Sequence, residues 1–189
     1  MDTIAAMRTR RSYGRLTEPA PNDDELRTML EVAAAAPDHG ELKPFRFTIL
    51  RDAGKEAFGE VLEAAYVRRC TDTGDEPVPA KAKKERTKLG RAPLVVVVSA
   101  ARQPTEKIPW VDQRDAAVAA TEHLLLAAHA LGYGAMWRTG APCEDPHVKK
   151  ALDLADDDAV VGFVYVGTPH EPKAPREVDL GPLVSEYHA

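Results

Sequence analysis

Four arginines and a serine stand close together near the start of this 189-residue chain, in the stretch RTRRSYGRL at residues 8 to 16. Arg10 and Arg11 directly precede Ser12, so two guanidinium groups and a hydroxyl group are available at one point. Arginine binds phosphate through paired, charge-assisted hydrogen bonds, which suits this trio to a phosphate monoester dianion. From these residues alone, a cluster of surface salt bridges is an equal alternative.

A second group of polar residues lies in APDHGELKPF at residues 36 to 45, where a predicted helix stops and a strand follows. His39, Glu41 and Lys43 alternate there, so an extended loop would project their side chains toward one side. An ordinary turn explains the same stretch equally well.

A third group lies in MWRTG at residues 136 to 140, which we predict to be part of a strand. Trp137 suits a protein core as well as a binding site. Arg138 beside it needs a polar partner if the strand is buried, because an unpaired buried charge is costly.

Other common sites are not supported by the sequence. His123 and His129 share a predicted helix but are six residues apart, about 240° around the helix axis, so they do not form a metal-binding face. Cys70 and Cys143 have no paired spacing, and we interpret both as ordinary thiols. We therefore predict no metal site, and no serine or cysteine nucleophile is indicated.

The composition of the chain limits the classes of partner that it is expected to bind. The chain has 30 acidic and 25 basic residues, a formal net charge of -5, which disfavours a protein that binds nucleic acid. It contains no run of 18 apolar residues and does not begin with the pattern of a signal peptide. We therefore expect a cytoplasmic protein that binds neither a membrane nor nucleic acid.

Apolar periodicity predicts the elements that must position these groups. Helices are expected at residues 2–9, 22–36, 55–69, 112–131 and 144–152, and strands at 45–50, 94–100, 135–140 and 160–167. The polar segment 71–93 is expected to be an exposed excursion; a solvated helix of mixed charge is favoured over a nucleic-acid patch, and no chemistry is assigned to it. This order predicts an α/β or α+β sandwich.

Four motifs in order resemble the nitroreductase family: Arg-Arg-Ser at 10–12, Ala-Pro with Pro-Phe at 36–45, Ala-Leu-Gly at 130–132, and Trp-Arg-Thr-Gly at 137–140. The similarity covers nearly the whole chain and is greatest to the minimal bacterial branch of the family. It implies an α+β fold with a mixed β-sheet flanked by helices, forming one domain over residues 1–189. It also implies an intertwined homodimer in which the tail, about residues 170–189, reaches to the partner subunit.

The resemblance further implies an FMN-dependent NAD(P)H oxidoreductase that reduces nitroaromatic, quinone or similar acceptors by ping-pong hydride transfer. The flavin N5 would carry the hydride, so no catalytic side chain is expected. His39 and Lys43 would come from the partner subunit. The cofactor-binding residues implied by the family pattern are Arg10, Arg11, Ser12, Ala35, His39, Lys43, Trp137, Arg138 and Thr139.

The chain departs from the family pattern where a basic residue often follows the Arg-Arg-Ser motif, because Gly14 occupies that position. A cation is expected beside the flavin N1 and O2 atoms, since it stabilises the reduced ring. Lys43, Arg15 and Arg138 are the candidates, and Lys43 is a possible electrostatic tuning residue. The alternative function is a flavin carrier or sensor with little turnover. Independently of the family, the alanine-rich helix and the apolar tail predict a dimer.

Overall fold

The structure is a computed structural model that describes residues 2–188. Seven α-helices and five β-strands are assigned within this range. In chain order they are α1 (Thr3–Thr9), β1 (Leu16–Thr17), α2 (Asp23–Ala34), β2 (Phe45–Arg51), α3 (Ala53–Thr73), α4 (Pro79–Thr87), β3 (Leu94–Ala100), α5 (Trp110–Ala130), β4 (Gly134–Arg138), α6 (Ala141–Glu144), α7 (Pro146–Ala151) and β5 (Ala159–Pro169). Short 3-10 turns span His39–Glu41, Lys88–Arg91 and Gly181–Leu183.

The five strands form one sheet whose ladders are all antiparallel. β3 lies between β2 and β5, while β4 and the two-residue β1 pair with the other edge of β5. The parallel component is an isolated bridge between Ser12 and Ala135. Helices cover both faces, so the predicted α+β fold is confirmed, but the sheet predicted to be mixed is antiparallel in every ladder between these strands.

Every residue of β3 is buried, as its continuous apolar run predicts. Because side chains alternate along a strand, Val96 and Val98 belong to the core beneath α2 and α5, whereas Val95 and Val97 belong to the core beneath α3 and the Lys88–Arg91 turn. The central strand therefore divides the hydrophobic core into two layers.

Helices α2 and α5 pack together on one face of the sheet. The side chain of Asn22 caps α2 in a reciprocal pair with Glu25. The small residues Ala117, Ala120 and Ala128 of α5 are fully buried within their own chain. These alanines of the central helix thus add little exposed apolar surface that a second subunit could bury. Other residues must form the predicted dimer interface.

Several helix and strand boundaries predicted from the sequence were wrong. Helix α3 runs from Ala53 to Thr73 and α5 from Trp110 to Ala130. The helix predicted at 144–152 is shorter and corresponds to α7, because Asp145 adopts an extended conformation, separates it from α6 and caps it. The strand predicted at 135–140 ends at Arg138, before Gly140 turns the chain with φ of 111°. Strand β1 was missed because two residues carry no periodicity.

The segment 71–93 contains more regular secondary structure than was expected of an exposed segment. It contains the end of α3, the whole of α4 and the Lys88–Arg91 turn, and it buries Ala82 and Leu89. The expectation of a mixed-charge helix is correct for α4, where Pro79 stands in the first turn. Within residues 2–188, no helix is long and apolar enough to cross a membrane, and no cluster of potential metal ligands is present.

Candidate functional site

The chain that follows α1 lies against β4. Ser12 forms the parallel bridge to Ala135, and the backbone N–H of Tyr13 donates to the carbonyl oxygen of Ala135 at 3.1 Å. At the next residue, the carbonyl oxygen of Gly14 accepts a hydrogen bond of 3.4 Å from Nη2 of Arg138. The arginine segment and the Trp-Arg-Thr-Gly motif, 124 residues apart at this contact, therefore meet in the fold.

Arg10 and Arg11 have different surroundings. Arg10 is the C-terminal cap of α1, and its Nε lies 3.5 Å from a carboxylate oxygen of Glu122. Among residues 2–188, no hydrogen bond uses the terminal nitrogens of Arg10. Arg11 donates from Nη1 to the carbonyl oxygen of Ala174, so part of its capacity is already used by the tail. Arg10 is thus the arginine of the pair better placed to take an anion.

Lys173 is a cation at this site that the sequence analysis missed. Its Nζ donates to the carbonyl oxygen of Ser12 at 2.7 Å and lies 4.9 Å from the centre of the Tyr13 ring. The two residues are 161 positions apart, and Lys173 stands in a proline-rich stretch with no motif. Only the packing of the tail against residues 12 and 13 brings this lysine to the arginine segment.

A cavity of about 210 Å³ lies beside Arg138. The guanidinium carbon of Arg138 is 5.5 Å from the centre of the Tyr165 ring, and its buried Nε has no partner within the described residues. The other lining residues are Lys84, Lys88, Arg91, Thr139, Pro142 and Phe163. Four cations and no carboxylate line this cavity, although Lys88 is paired with nearby Glu85 at 2.6 Å.

The tyrosine that lines this cavity and the cysteine near it add no negative charge. Burial raises the pKa of Tyr165 to about 12, against the opposing effect of Arg138 and Arg91, so this phenol is neutral at physiological pH. Burial also raises the pKa of Cys143 to about 11, which keeps its thiol protonated. The cavity is consequently suited to an anionic or electron-rich group, and the buried cysteine is a poor nucleophile.

Trp137 and Thr139 differ in how they face this cavity. The indole of Trp137 packs on the opposite face of β4, toward α5, and donates from Nε1 to the carbonyl oxygen of Val161 at 3.2 Å. Thr139 directly follows β4 and lines the cavity of Arg138. The alternation of side chains along a strand separates Trp137 from Arg138 in this way.

The loop that holds Ala35, His39 and Lys43 is not extended. Ala35 is the C-terminal cap of α2, and the residues after it form a 3-10 turn. Backbone φ is 77° at Gly40, 54° at Glu41 and 49° at Lys43. These left-handed conformations break the period of two, so the predicted alternation of His39, Glu41 and Lys43 is wrong.

Short polar contacts fix this loop. A carboxylate oxygen of Asp38 accepts from the backbone N–H of Lys43 at 2.5 Å, and Nδ1 of His39 lies 3.1 Å from a carboxylate oxygen of Asp112 in α5. The imidazole of His39 is 65% exposed. No hydrogen bond or ion pair in the described chain joins this loop to residues 10–14 or 137–139, so the predicted site residues form two separate groups.

Comparison with known proteins identifies the family. The model of the nitroreductase family matches residues 7–168, which include both groups of site residues. The chain belongs to this family. Its nitroreductase relatives include a protein of Escherichia coli K12 named "Putative NAD(P)H nitroreductase YdjA", 36% identical over 169 residues that cover 89% of each chain. A Haemophilus influenzae protein with the same description is 36% identical over 178 residues, covering 94% of this chain and 93% of its own.

Solved structures of nitroreductases share the fold. A nitroreductase-like protein from Bacillus cereus superposes with a TM-score of 0.83 at 19% identity, covering 100% of this chain and 97% of its own. A Desulfovibrio desulfuricans protein, described as a nitroreductase in complex with FMN, gives a TM-score of 0.76 at 25% identity and covers 100% of this chain and 98% of its own.

Proposed function

We propose that this protein is an FMN-dependent NAD(P)H oxidoreductase that reduces nitroaromatic, quinone or similar acceptors. The observation that carries the proposal is the contact of residues 12–14 with β4 and Arg138, because it connects Arg10, Arg11 and Ser12, whose donors suit a phosphate, to a basic cavity. The names of the relatives and the FMN complex of a structural neighbour support it. A cytoplasmic protein without a nucleic-acid partner remains part of this proposal.

The phosphate of FMN would bind at the arginine segment. Arg10 offers two terminal nitrogens that no described residue uses, Ser12 offers its hydroxyl group, and Lys173 adds a second cation nearby. Arg11 would contribute charge and hold the tail in place through Ala174. A phosphate dianion satisfies such donors better than water does, because the hydrogen bonds are charge-assisted.

The ring of FMN would bind toward Arg138 and Thr139. The cations of this cavity, Lys84, Arg91 and Arg138, would stabilise negative charge at the pyrimidine edge of the ring. Arg138 reaches the backbone of Gly14, where a basic side chain is absent, so Arg138 would supply the positive charge at that position. Trp137 would contribute its backbone and hold β4 in place. When bound, FMN supplies the transfer of hydride from NAD(P)H to the acceptor.

The second group, Ala35, His39 and Lys43, would complete the site from a partner subunit. The loop lies outside the first group within one chain, and His39 is exposed. Exposed apolar side chains also lie in the tail: Val178, Leu180, Leu183, Val184 and Tyr187. We propose a homodimer in which the tail covers the partner and each FMN is enclosed by both chains.

The test of the proposed function is a comparison of FMN with riboflavin, which lacks the phosphate. Purified protein should be yellow, and NAD(P)H should be consumed when a nitroaromatic compound or a quinone is added. Arg10→Ala should weaken FMN binding by about 10- to 150-fold, since a charge-assisted contact contributes roughly 1.5 to 3 kcal/mol, and should leave riboflavin binding nearly unchanged. Equal losses for both flavins in a folded variant would contradict the phosphate assignment. Bound FMN without NAD(P)H oxidation would favour the carrier or sensor.

A further inference from the structure

Helix α1 has little packing of its own to fix the direction of Arg10. It is seven residues long and buries one residue, Ala6, while Ile4 and Met7 on its surface are exposed. A helix this short is marginal without tertiary contacts. The position of the guanidinium group at its C-terminal end must therefore come from neighbouring elements.

Two side-chain contacts join the end of α1 to α5. The hydroxyl group of Thr9 lies 2.8 Å from Nε2 of His129, and Nε of Arg10 lies 3.5 Å from Glu122. Glu122 and His129 are seven residues apart, close to two helical turns, so they occupy the same side of α5. The last residue of α1 and its cap thus contact residues about two turns apart on one face of α5.

The first contact has a defined donor. The Thr9 hydroxyl donates its single hydrogen to the carbonyl oxygen of Ala5 at 2.7 Å, so Nε2 of His129 must donate to Thr9. Burial, and then the charge of Arg10, lower the pKa of His129. The neutral imidazole holds the end of α1 without adding charge beside Arg10.

The second contact leaves the functional end of Arg10 free. The contact given by Glu122 is with Nε, on the side of the guanidinium group, and the two terminal nitrogens form no hydrogen bond within the described chain. An arginine held through Nε presents its paired terminal N–H groups in a fixed direction, which is the geometry that favours bidentate binding of phosphate.

We propose that Glu122 is a positioning residue that orients Arg10 for the phosphate of the cofactor. This inference rests on the proposed function. A carboxylate close to a phosphate would by charge alone weaken its binding. Removal of Glu122 therefore has opposite effects under the two explanations: affinity falls if Glu122 positions Arg10, and it rises if Glu122 only repels the phosphate.

The experiment measures dissociation constants of the cofactor-free protein for FMN and riboflavin by flavin fluorescence. Glu122→Ala should weaken FMN binding by about 2- to 5-fold, the range for a partly exposed ion pair of 0.5 to 1 kcal/mol, without changing riboflavin binding. Glu122→Gln keeps an oxygen acceptor for Nε and should bind FMN at least as tightly as the wild type. Glu31→Ala is the matched control, because it removes the same charge from the Arg27 pair on α2.

A double-mutant cycle with Arg10→Ala isolates the coupling. In the Arg10→Ala background, Glu122→Ala should cause no further loss of FMN affinity. If Glu122→Ala does not fold, Glu122→Asp makes the same test, since its shorter side chain keeps the charge but loses the contact with Nε and should weaken FMN binding.

The outcomes distinguish failure of the positioning role of Glu122 from failure of the phosphate assignment of Arg10. An FMN affinity that is unchanged or higher in Glu122→Ala, with Arg10→Ala still impaired, overturns the positioning role alone. The same holds for an equal loss in both Arg10 backgrounds. An Arg10→Ala protein that binds FMN as tightly as the wild type overturns the phosphate assignment and the positioning role together.

Discussion

The two groups of predicted site residues are held by different means. The arginine segment is attached to the sheet by backbone contacts, Ser12 with Ala135 and Gly14 with Arg138, so its position follows from the core. The loop at residues 35–43 is held by a left-handed turn and by side-chain contacts such as His39 with Asp112. The first group is held by backbone contacts with the sheet, and no hydrogen bond or ion pair among the described residues joins the second group to it.

This difference shows which part of the proposed site depends on assembly. In the single chain, Arg138 of the first group already lines a basic cavity with Lys84, Lys88 and Arg91, and its buried Nε has no partner among the described residues. The residues of the second group gain a role only if another surface is brought to them. Affinity for the phosphate should therefore depend mainly on the first group, and enclosure of the ring on the second group and the dimer.

Deletion of residues 180–189 should have the largest effect, on both dimer formation and FMN binding. It removes four exposed apolar side chains, Leu180, Leu183, Val184 and Tyr187. If these are buried against a partner at roughly 1 kcal/mol each, dimer formation weakens by about 4 kcal/mol, or roughly 1000-fold. Sedimentation velocity at micromolar concentration should show a monomer, and FMN should be released with it. A wild-type protein that is a compact monomer with flavin bound would rule out the dimer.

Gly162→Ala should have the next largest effect, because it disturbs the packing of β5 against Trp137 and Arg138 of β4. A β-carbon there would collide with the indole of Trp137 and come within 2.8 Å of the carbonyl oxygen of Arg138. Overpacking of this kind costs about 2 kcal/mol, measurable as a lower midpoint in urea unfolding, and FMN affinity should fall. Gly14→Ala is the control, since its β-carbon would lie 3.8 Å from Arg138 and should change stability by less than about 0.5 kcal/mol. Similar losses in both variants would contradict this account of β4.

The smallest expected effect concerns the cation beside the flavin ring. Arg91 lines the cavity of Arg138, whereas Lys43 lies in the separate loop. Arg91→Gln should lower the midpoint potential of bound FMN by about 20 mV, since a partly solvated cation contributes about 1 kcal/mol to the reduced state and 30 mV corresponds to about 1.4 kcal/mol. Lys43→Gln should lower it less. A larger decrease in Lys43→Gln, measured by dye-coupled reduction, would place the lysine of the partner subunit at the ring instead.

Several features of the protein were determined by the sequence itself. The buried strand β3, the helix α2 and the long alanine-rich α5 were predicted because burial leaves local patterns in composition and period. The proposal that Arg10, Arg11 and Ser12 bind a phosphate also rests on a local pattern, since it depends on adjacent donors of the right type. These features need no knowledge of distant parts of the chain.

Other features were decided only by the tertiary structure. The positions of Lys84, Arg91 and Lys173 beside the predicted site follow from contacts between elements far apart in sequence, which periodicity does not encode. The turn at Glu41 and Lys43 was missed because non-glycine residues rarely adopt left-handed conformations, and the surrounding contacts impose them. Sequence identified which donors could bind an anion, and packing decided which of them converge, because convergence is a property of the fold and not of any one segment.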